Sequence, residues 1–347
     1  MVYGLGGVGK TTLAYNTAVK FAQNGYKVGL IDLDPQCNLS ELVLGNVYEK
    51  NLFSGSQKTT YDVVRKLVSA TGDVDKSIQL MNTSHENLYL LPGSLQLSLF
   101  EELLVTNFSS AMSGNEAGYT ITSAISRYLL DKGLYQEFDL FIIDTSPSLG
   151  VLNKIILLDA DYFVTPMKPD NFSLMGVENL GMILEKWKRQ WQVGALALAQ
   201  DVPSQKVIGA ESLFLGYVVN DYNQYNEKPI SAHEEWMGKL AQPIKEYLSE
   251  KHGKNGLVER SWKEELAVIK DYGQLPARSQ ELNKAIFEFN PSDFPQGTKE
   301  NIQKSNDEFN RLFENIAHQK YHLLHRCAPL HKQLYRERPL KPRQCKI

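Results

Sequence analysis

A glycine-rich loop that leads into a helical pattern constrains this chain more than any other feature of its sequence. Residues 4–11 read GLGGVGKT and match the pattern GxxxxGK[ST] at every position. Glycines let such a loop turn tightly, so that successive backbone N–H groups face one polyphosphate. Lys10 then supplies positive charge for the phosphates, the Thr11 hydroxyl can bind Mg²⁺, and the N-terminus of the following helix attracts the same anion. The loop therefore predicts a site for a nucleoside triphosphate and Mg²⁺.

Short apolar runs alternate with helical patterns along the rest of the chain. The predicted helices are residues 11–23 and 174–187, and the predicted strands are residues 26–33, 140–144, 162–167 and 214–220. A chance glycine-rich turn at the start is disfavoured, because a helix and a buried strand follow it in the required order. Strands that alternate with helices form a parallel sheet with both faces covered. The prediction is an α/β fold with a doubly wound, mostly parallel sheet and helices on both faces.

Several polar segments interrupt this alternation. Residues 50–60, 107–118 and 192–205 are predicted insertions, and residues 227–272 are predicted to be helical with loops. None has the composition of an interdomain linker, so we predict a single domain over residues 1–317.

The C-terminal segment differs in charge from the rest of the chain. Residues 318–347 contain eight Lys or Arg and one acid, a net charge of +7, which leaves −10 on residues 1–317 because the whole chain carries −3. Such a tail can bind a nucleic acid or a membrane, or it can be a solvated, disordered terminus. The tail also contains His318, His322 and His325, a spacing that fits either a zinc site or a solvated helix face.

Three aspartates end two of the predicted strands. Asp144 ends one strand, where it is placed to hold Mg²⁺ directly or through water. Asp32 and Asp34 end another strand and point to the same side, because they are two residues apart. One of them is expected near the metal and the other to orient the attacking water. Strand-end aspartates are often only turn formers, but the phosphate-binding loop favours the metal interpretation.

Composition excludes several classes of protein. The chain is 42% hydrophobic and 22% charged, which is ordinary for a globular protein. No apolar run reaches the roughly 18 residues of a membrane span, and the first residues lack the pattern of a signal peptide. Three cysteines without a CxxC pair argue against a disulfide framework. Pro329, Pro339 and Pro342 prevent a long amphipathic helix in the basic tail, which argues against membrane binding by that segment. We therefore predict a cytoplasmic protein that does not associate with a membrane.

Three motifs resemble those of the ParA/MinD branch of P-loop ATPases, and most closely the ParA-type partition proteins. Residues 5–12 (LGGVGKTT) are similar to the family's KGGVGKTT, residues 32–38 (DLDPQCN) to DxDPQxN, and residues 144–148 (DTSPS) to DTPPS. Weaker matches at residues 60–64, 90–94, 172–176 and 279–282 keep the same order. The resemblance thus spans about residues 1–317.

The resemblance implies a nucleotide-dependent switch. It implies ATP and Mg²⁺ bound at the loop, hydrolysis of ATP, an ATP-dependent homodimer with ATP between the protomers, and non-specific DNA binding. A ParB-like or other activating protein would stimulate hydrolysis. The implied nucleotide contacts are Gly6, Gly7, Val8, Gly9, Lys10, Thr11, Thr12 and Asn220. The implied catalytic residues are Lys10, Asp34 and Asp144, and the expected metal-site residues are Thr11, Asp32 and Asp144.

The chain departs from the family pattern at two points. Leu5 stands where the family has a signature lysine that reaches the partner's phosphates. An apolar side chain cannot supply that charge, so weak hydrolysis is expected. In addition, only three residues precede Gly4, whereas a strand normally feeds this loop.

Other functions of the same fold stay open. A regulatory ATPase in defence or secretion would lack the DNA-binding step. A metabolic ATP-dependent ligase would need a small-molecule pocket motif, which we do not find. A reductase similar to the nitrogenase iron protein would need suitably placed cysteines, and Cys37 lies far along the chain from Cys327 and Cys345. The basic and aromatic residues 186–189 (KWKR) can contact a nucleic-acid backbone or form one edge of a surface helix.

Overall fold

The computed structural model of the chain describes residues 1–2, 4, 6–45, 57–131, 134–222, 230–253, 264–270, 272–290, 292, 294 and 296–326. The strands are β1 Val28–Asp32, β2 Met81–Asn82, β3 Leu88–Leu91, β4 Leu140–Asp144, β5 Tyr162–Met167, β6 Leu213–Tyr222 and β7 Glu265–Lys270. The first helices are α1 Lys10–Gln23, α2 Asn38–Leu44, α3 Thr60–Val68, α4 Leu97–Met112, α5 Glu116–Thr122 and α6 Ala124–Asp131. The later helices are α7 Leu134–Glu137, α8 Val151–Asp159, α9 Asn171–Trp191, α10 Ile230–Pro243, α11 Leu275–Leu282 and α12 Gln296–Arg326.

The strands form one twisted surface in two hydrogen-bonded groups. One group has the order β2-β3-β1-β4 and the other the order β5-β6-β7. Val2 joins the two groups, because it forms parallel bridges to both Asp144 of β4 and Val164 of β5. All the paired strands are parallel except β2, which runs antiparallel to β3. The predicted doubly wound, mostly parallel α/β sheet is confirmed.

The sheet is buried on both faces because successive residues of each strand point to opposite sides. In β1, Leu30 belongs to a core cluster on one face that also contains side chains of α1, α2, α11 and α12. Ile31 points the other way and belongs to the core cluster with side chains from helices that include α3, α4, α6, α8 and α9. Strands buried in this way are continuous apolar runs rather than alternating ones, which is why the sequence pattern identified β1, β4, β5 and β6.

The residues before the glycine-rich loop occupy the strand position between β4 and β5. The Val2 N–H donates to Ile143 O at 3.1 Å, and the Val164 N–H donates to Met1 O at 3.0 Å. Since neighbouring parallel strands end at the same edge of a sheet, the loop emerges beside the ends of β4 and β5. Met1 and Val2 thus lie at the position of the strand that the family pattern led us to expect before this loop.

The structure adds detail to the predicted insertions and corrects the prediction for residues 227–272. Residues 107–118, a predicted insertion, are mostly helical, because α4 continues to Met112 and α5 begins at Glu116. The predicted insertion at residues 192–205 begins with a π-helical turn, Gln192–Leu196, that extends α9. The stretch at residues 227–272 contains not only α10 but also the edge strand β7. The predicted insertion at residues 50–60 lies mostly outside the described residues.

The C-terminal helix changes the boundary of the predicted tail. Helix α12 continues through Arg326, so residues 318–326 are helical, and residues 327–347 lie outside the described part. Within the described part of the chain, no helix is both long and apolar enough to cross a membrane.

Candidate functional site

The glycine-rich loop adopts a backbone that glycine permits and other residues resist. Gly7 and Gly9 have φ values of 72° and 79°, in the left-handed region. Gly4 packs so tightly that a Cβ there would lie 3.1 Å from Pro166 O of β5. Helix α1 begins directly after Gly9, and the Leu13 N–H already donates to Gly9 O at 2.9 Å. The loop thus delivers the N-terminus of α1 to the edge of the sheet.

Asn220 holds this loop from the side of β6. Its Nδ2 donates to Val8 O at 2.8 Å, and a Cβ on Gly9 would approach that same nitrogen to 2.7 Å. The structure therefore places one side of the Asn220 amide on the loop backbone. An adenine contact by Asn220 stays a prediction.

Two of the predicted metal-site residues meet directly. The Thr11 hydroxyl donates to Asp144 Oδ2 at 2.7 Å, although the two residues are 133 positions apart in the sequence. Asp144 is fully buried, and its Oδ1 has no hydrogen-bond partner among the described residues. A buried carboxylate oxygen without a partner is unfavourable unless a ligand supplies one. The atom is thus suited to a cation or to a water bound by a cation.

The other two aspartates lie beside Asp144 at the end of β1. Asp32 is the register partner of Asp144 in the β1–β4 pair, so the two carboxylates lie on adjacent strands. Asp32 accepts hydrogen bonds from Ser40 and from the Asp34 N–H, while Asp34 Oδ1 accepts the Gln36 N–H at 2.9 Å. Both aspartates are buried.

The charges at this edge of the sheet perturb one another. Burial, and after it the charge of Asp32, raise the pKa of Asp144 to about 7, against the Thr11 hydrogen bond and the Lys10 charge, which lower it. Burial raises the pKa of Asp32 to about 6, against hydrogen bonds from Ser40 and Asp34. Burial lowers the pKa of Lys10, while Asp144 and Asp34 raise it. Two buried carboxylates on adjacent strands raise each other's pKa, and a cation bound between them would lower both values.

The residues present fit the group that the sequence predicted. A hydroxyl and a carboxylate oxygen are hard ligands of the kind that Mg²⁺ prefers. The glycine backbone and the helix N-terminus provide donors for phosphate oxygens, and Lys10 provides a charge. All the predicted site residues that the structure describes lie at this one edge of the sheet. Leu5 lies outside the described residues.

Sequence reasoning missed two contributors to the site, Ser40 and Gly93. The Ser40 hydroxyl donates to Asp32 and accepts the Gly93 N–H at 2.8 Å. Gly93 lies within residues 90–94, one of the weaker motif matches, so a signal existed for it. Ser40 had no such signal, because one serine at the start of a helix is common.

The structure also shows the surroundings of residues 186–189, which the sequence offered as a nucleic-acid contact, and it bears on possible metal-binding clusters. Trp191 is fully buried and donates from Nε1 to Ile208 O at 2.8 Å, and the Lys188 ammonium donates to Ser212 O. Lys186 and Arg189 are exposed, so residues 186–189 form one edge of a surface helix anchored by tryptophan. Within the described residues, no group of three or more His, Cys, Asp or Glu is arranged to hold a metal ion.

Comparisons with known proteins identify the family of this chain. The family model described as an AAA domain matches residues 2–194. An uncharacterized protein of Methanocaldococcus jannaschii is 30% identical over 224 residues, which cover 65% of this chain and 73% of that protein. The virulence plasmid ParA family protein pGP5-D of Chlamydia trachomatis is 32% identical over 176 residues, or 50% of this chain. This chain spans only 57% of the chlamydial protein's length.

Solved structures share the fold across most of the chain. Protein DIP2308 of Corynebacterium diphtheriae superimposes with a TM-score of 0.64 at 22% identity, covering 92% of this chain and 98% of that one. A plasmid partition protein of Borrelia burgdorferi bound to AMPPNP gives a TM-score of 0.54 at 18% identity, covering 92% and 97%. With the family match over more than half of the chain, the chain belongs to the AAA domain family and is a P-loop ATPase of the ParA/MinD type.

Proposed function

We propose that this chain binds ATP with Mg²⁺ and hydrolyses it, and that it acts as a ParA-type switch that positions DNA or another cargo in the cytoplasm. The observation that carries the proposal is the contact between Thr11 and Asp144 beside the glycine loop. It brings a hydroxyl, a buried carboxylate and a helix N-terminus to one place. Few ligands other than a magnesium-bound polyphosphate need all three.

The glycine-rich loop and the first turn of α1 bind the nucleotide. The backbone N–H groups of residues 6–12 face the phosphates, and the Lys10 ammonium neutralises part of their charge. Lys10 is only 7% exposed, so its charge acts in a medium less polar than water. Thr11 and Asp144 hold the cation, and Asn220 keeps the loop in shape through Val8 O. Thr12 follows Thr11 in the first turn of α1, and its backbone oxygen accepts a hydrogen bond from the Asn16 side chain.

Hydrolysis depends on the carboxylates at the end of β1. When bound, Mg²⁺ polarises the phosphates and neutralises charge that develops on them. Asp34 orients the attacking water, for which its carboxylate is held by the Gln36 N–H. Asp32, which the sequence suggested as a metal-site residue, uses both oxygens for hydrogen bonds within the chain. We therefore assign Asp32 to holding the loop instead.

The switch role rests on the relatives. A ParA family protein of a virulence plasmid and a plasmid partition protein are among the proteins similar to this chain. By that likeness, ATP brings two copies together, the dimer binds DNA without sequence preference, and an activating protein triggers hydrolysis. Residues 1–317 carry a net −10, so DNA binding requires a local basic patch rather than the average field of the molecule.

One experiment separates this function from its rivals. Purified chain is assayed for Mg²⁺-dependent ATP turnover and for filter binding to unrelated duplexes, with and without ATP. Lys10→Ala is the control that removes the cis charge. The proposal expects turnover and salt-sensitive DNA binding with ATP in the parent, and neither in the variant. Turnover without DNA binding would favour a regulatory ATPase, and turnover only with an added small substrate would favour a ligase.

A further inference from the structure

Asp32 is hydrogen-bonded on both carboxylate oxygens by groups of its own chain. Its Oδ1 accepts the Asp34 N–H at 3.1 Å. Its Oδ2 accepts the Ser40 N–H at 2.9 Å and the Ser40 hydroxyl at 2.6 Å. Asp32 and Ser40 are both fully buried. Hydrogen bonds to a buried carboxylate are short and strong, so these contacts hold Asp32 in one orientation.

Ser40 extends this contact to the next strand. While its hydroxyl donates to Asp32, its oxygen accepts the N–H of Gly93, which follows β3, at 2.8 Å. A Cβ on Gly93 would lie 2.9 Å from Asp32 Oδ2 and 3.1 Å from Cys37 Sγ. No side chain fits there, so the connection between β3 and α4 packs directly on the carboxylate. We call Asp32, Ser40 and Gly93 the loop clamp.

The clamp encloses the turn that carries Asp34. The Cys37 N–H donates to Asp34 O at 2.9 Å, and Cys37 has a φ of 58°, which residues other than glycine rarely adopt. Such a conformation persists only where surrounding contacts hold it. The hydrogen bonds of the Asp32 carboxylate fix the chain on both sides of this residue, at the Asp34 N–H before it and at Ser40 after it. The Cys37 side chain is 5% exposed and lies beneath Gly93.

We infer that Ser40, through Asp32 and Gly93, is a positioning residue that holds Asp34 for water orientation, so that the clamp governs ATP turnover rather than ATP binding. This inference rests on the proposed function. This positioning role differs from metal binding by Asp32, because replacing a metal ligand would raise the Mg²⁺ concentration that turnover requires. It also extends the site to β3, which contributes no residue to the phosphate-binding loop.

The first test needs no nucleotide. It measures how accessible the Cys37 thiol is in the full-length chain. With Cys327→Ser and Cys345→Ser in the background, Cys37 is the one remaining thiol, and its rate of reaction with DTNB is measured. Ser40→Ala should raise this rate about tenfold or more, as expected for losing a buried hydrogen bond. Ser40→Thr, which keeps the hydroxyl, should restore the parent rate.

Ser305→Ala is the matched control. Ser305 is also fully buried, and its hydroxyl donates to Ile302 O at 2.7 Å within α12, away from the clamp. It should leave the Cys37 rate unchanged. An unchanged rate in Ser40→Ala would overturn the clamp whether or not the chain hydrolyses ATP.

The second test measures turnover, ATP affinity and Mg²⁺ dependence in Ser40→Ala and Asp32→Asn. We expect kcat to fall about tenfold while the Kd for ATP with Mg²⁺ changes by less than about twofold. If excess Mg²⁺ restores Asp32→Asn, Asp32 is a metal ligand and the inference is wrong. Suppose that Ser40→Ala labels faster at Cys37 while the parent chain shows no ATP turnover. That result would refute the proposed function and the catalytic role of the clamp, but it would support the loop contacts.

Discussion

At the scale of single residues, Asp34 is where binding and hydrolysis can be separated. Its carboxylate is held by the Gln36 N–H and lies close enough to Lys10 and Asp144 to shift their pKa values. Asp34→Ala should keep ATP affinity near that of the parent and lower kcat on the order of 10²-fold, because it removes a group that positions the water.

Isothermal titration with ATP and a steady-state phosphate-release assay measure the two effects. Asp201→Ala, which removes an exposed carboxylate, is the control and should change neither. Unchanged turnover in Asp34→Ala would move the water-positioning role to another residue.

At the scale of elements, the packing of α9 against the π-helical turn Ile244–Ser249, which follows α10, gives opposite predictions for two helical glycines. A Cβ on Gly181 of α9 would lie 2.3 Å from the backbone oxygen of Tyr247, whereas a Cβ on Gly238 of α10 would meet nothing within 4 Å. Gly181→Ala should lower the free energy of unfolding by about 1–3 kcal/mol through overpacking. Gly238→Ala should raise it by up to about 1 kcal/mol, since alanine favours a helix. Urea unfolding of both variants measures this, and equal changes would contradict the close helix contact.

The same contact between helices contains a buried histidine. His252, which ends the helical segment after α10, bonds through Nε2 to Gly181 O at 2.9 Å, and its Nδ1 has no hydrogen-bond partner among the described residues. Burial lowers the pKa of His252 to about 4. The Gly181 hydrogen bond and Glu185 oppose this shift, while Lys188 and Lys251 add to it.

This histidine should make stability depend on pH. Because its folded pKa of about 4 lies below the unfolded value of about 6.5, the unfolded chain takes up the proton first as pH falls. The neutral form therefore stabilises the fold above pH 6.5, and this contribution is lost progressively down to pH 4.

Between pH 7.5 and pH 5 the loss should be about 2 kcal/mol in the parent and absent in His252→Gln, whose side chain does not titrate. Urea unfolding at the two pH values gives the difference directly. Other titrating groups contribute equally to both proteins, so an identical pH dependence in parent and variant would contradict the buried, neutral histidine.

At the scale of the whole molecule, the basic C-terminal segment poses a question about DNA. Residues 318–347 carry +7, and α12 continues through Arg326. Ending the chain after Arg326 therefore removes basic residues and keeps the whole described helix Gln296–Arg326. We expect the truncated chain to bind unrelated duplexes as the full chain does, only with ATP and with a steep loss at higher salt.

Filter binding of both chains, with and without ATP, measures this. Binding that is independent of ATP and disappears on truncation would identify the tail as the DNA-binding element. A titration of NaCl in the same assay distinguishes phosphate contacts, which release counterions, from any salt-insensitive association.

The sequence by itself determined the phosphate-binding loop, the class of fold and the positions of four strands. These features are local. The loop requires left-handed backbone at Gly7 and Gly9, which glycine adopts without strain. Strands β1, β4, β5 and β6 are apolar runs long enough to recognise in the sequence. The three aspartates were also found from sequence, because strand ends in a parallel sheet converge on one edge.

Only the tertiary structure decided which side chains meet there. Strands β3 and β7 were missed because short apolar runs cannot be told from helix segments by periodicity. The Thr11–Asp144 and Ser40–Gly93 contacts join residues 133 and 53 positions apart. Such pairs depend on strand order and register, and these follow from the packing of all the elements together. For the same reason, the hydrogen bonds that occupy Asp32 could be seen only in the folded chain.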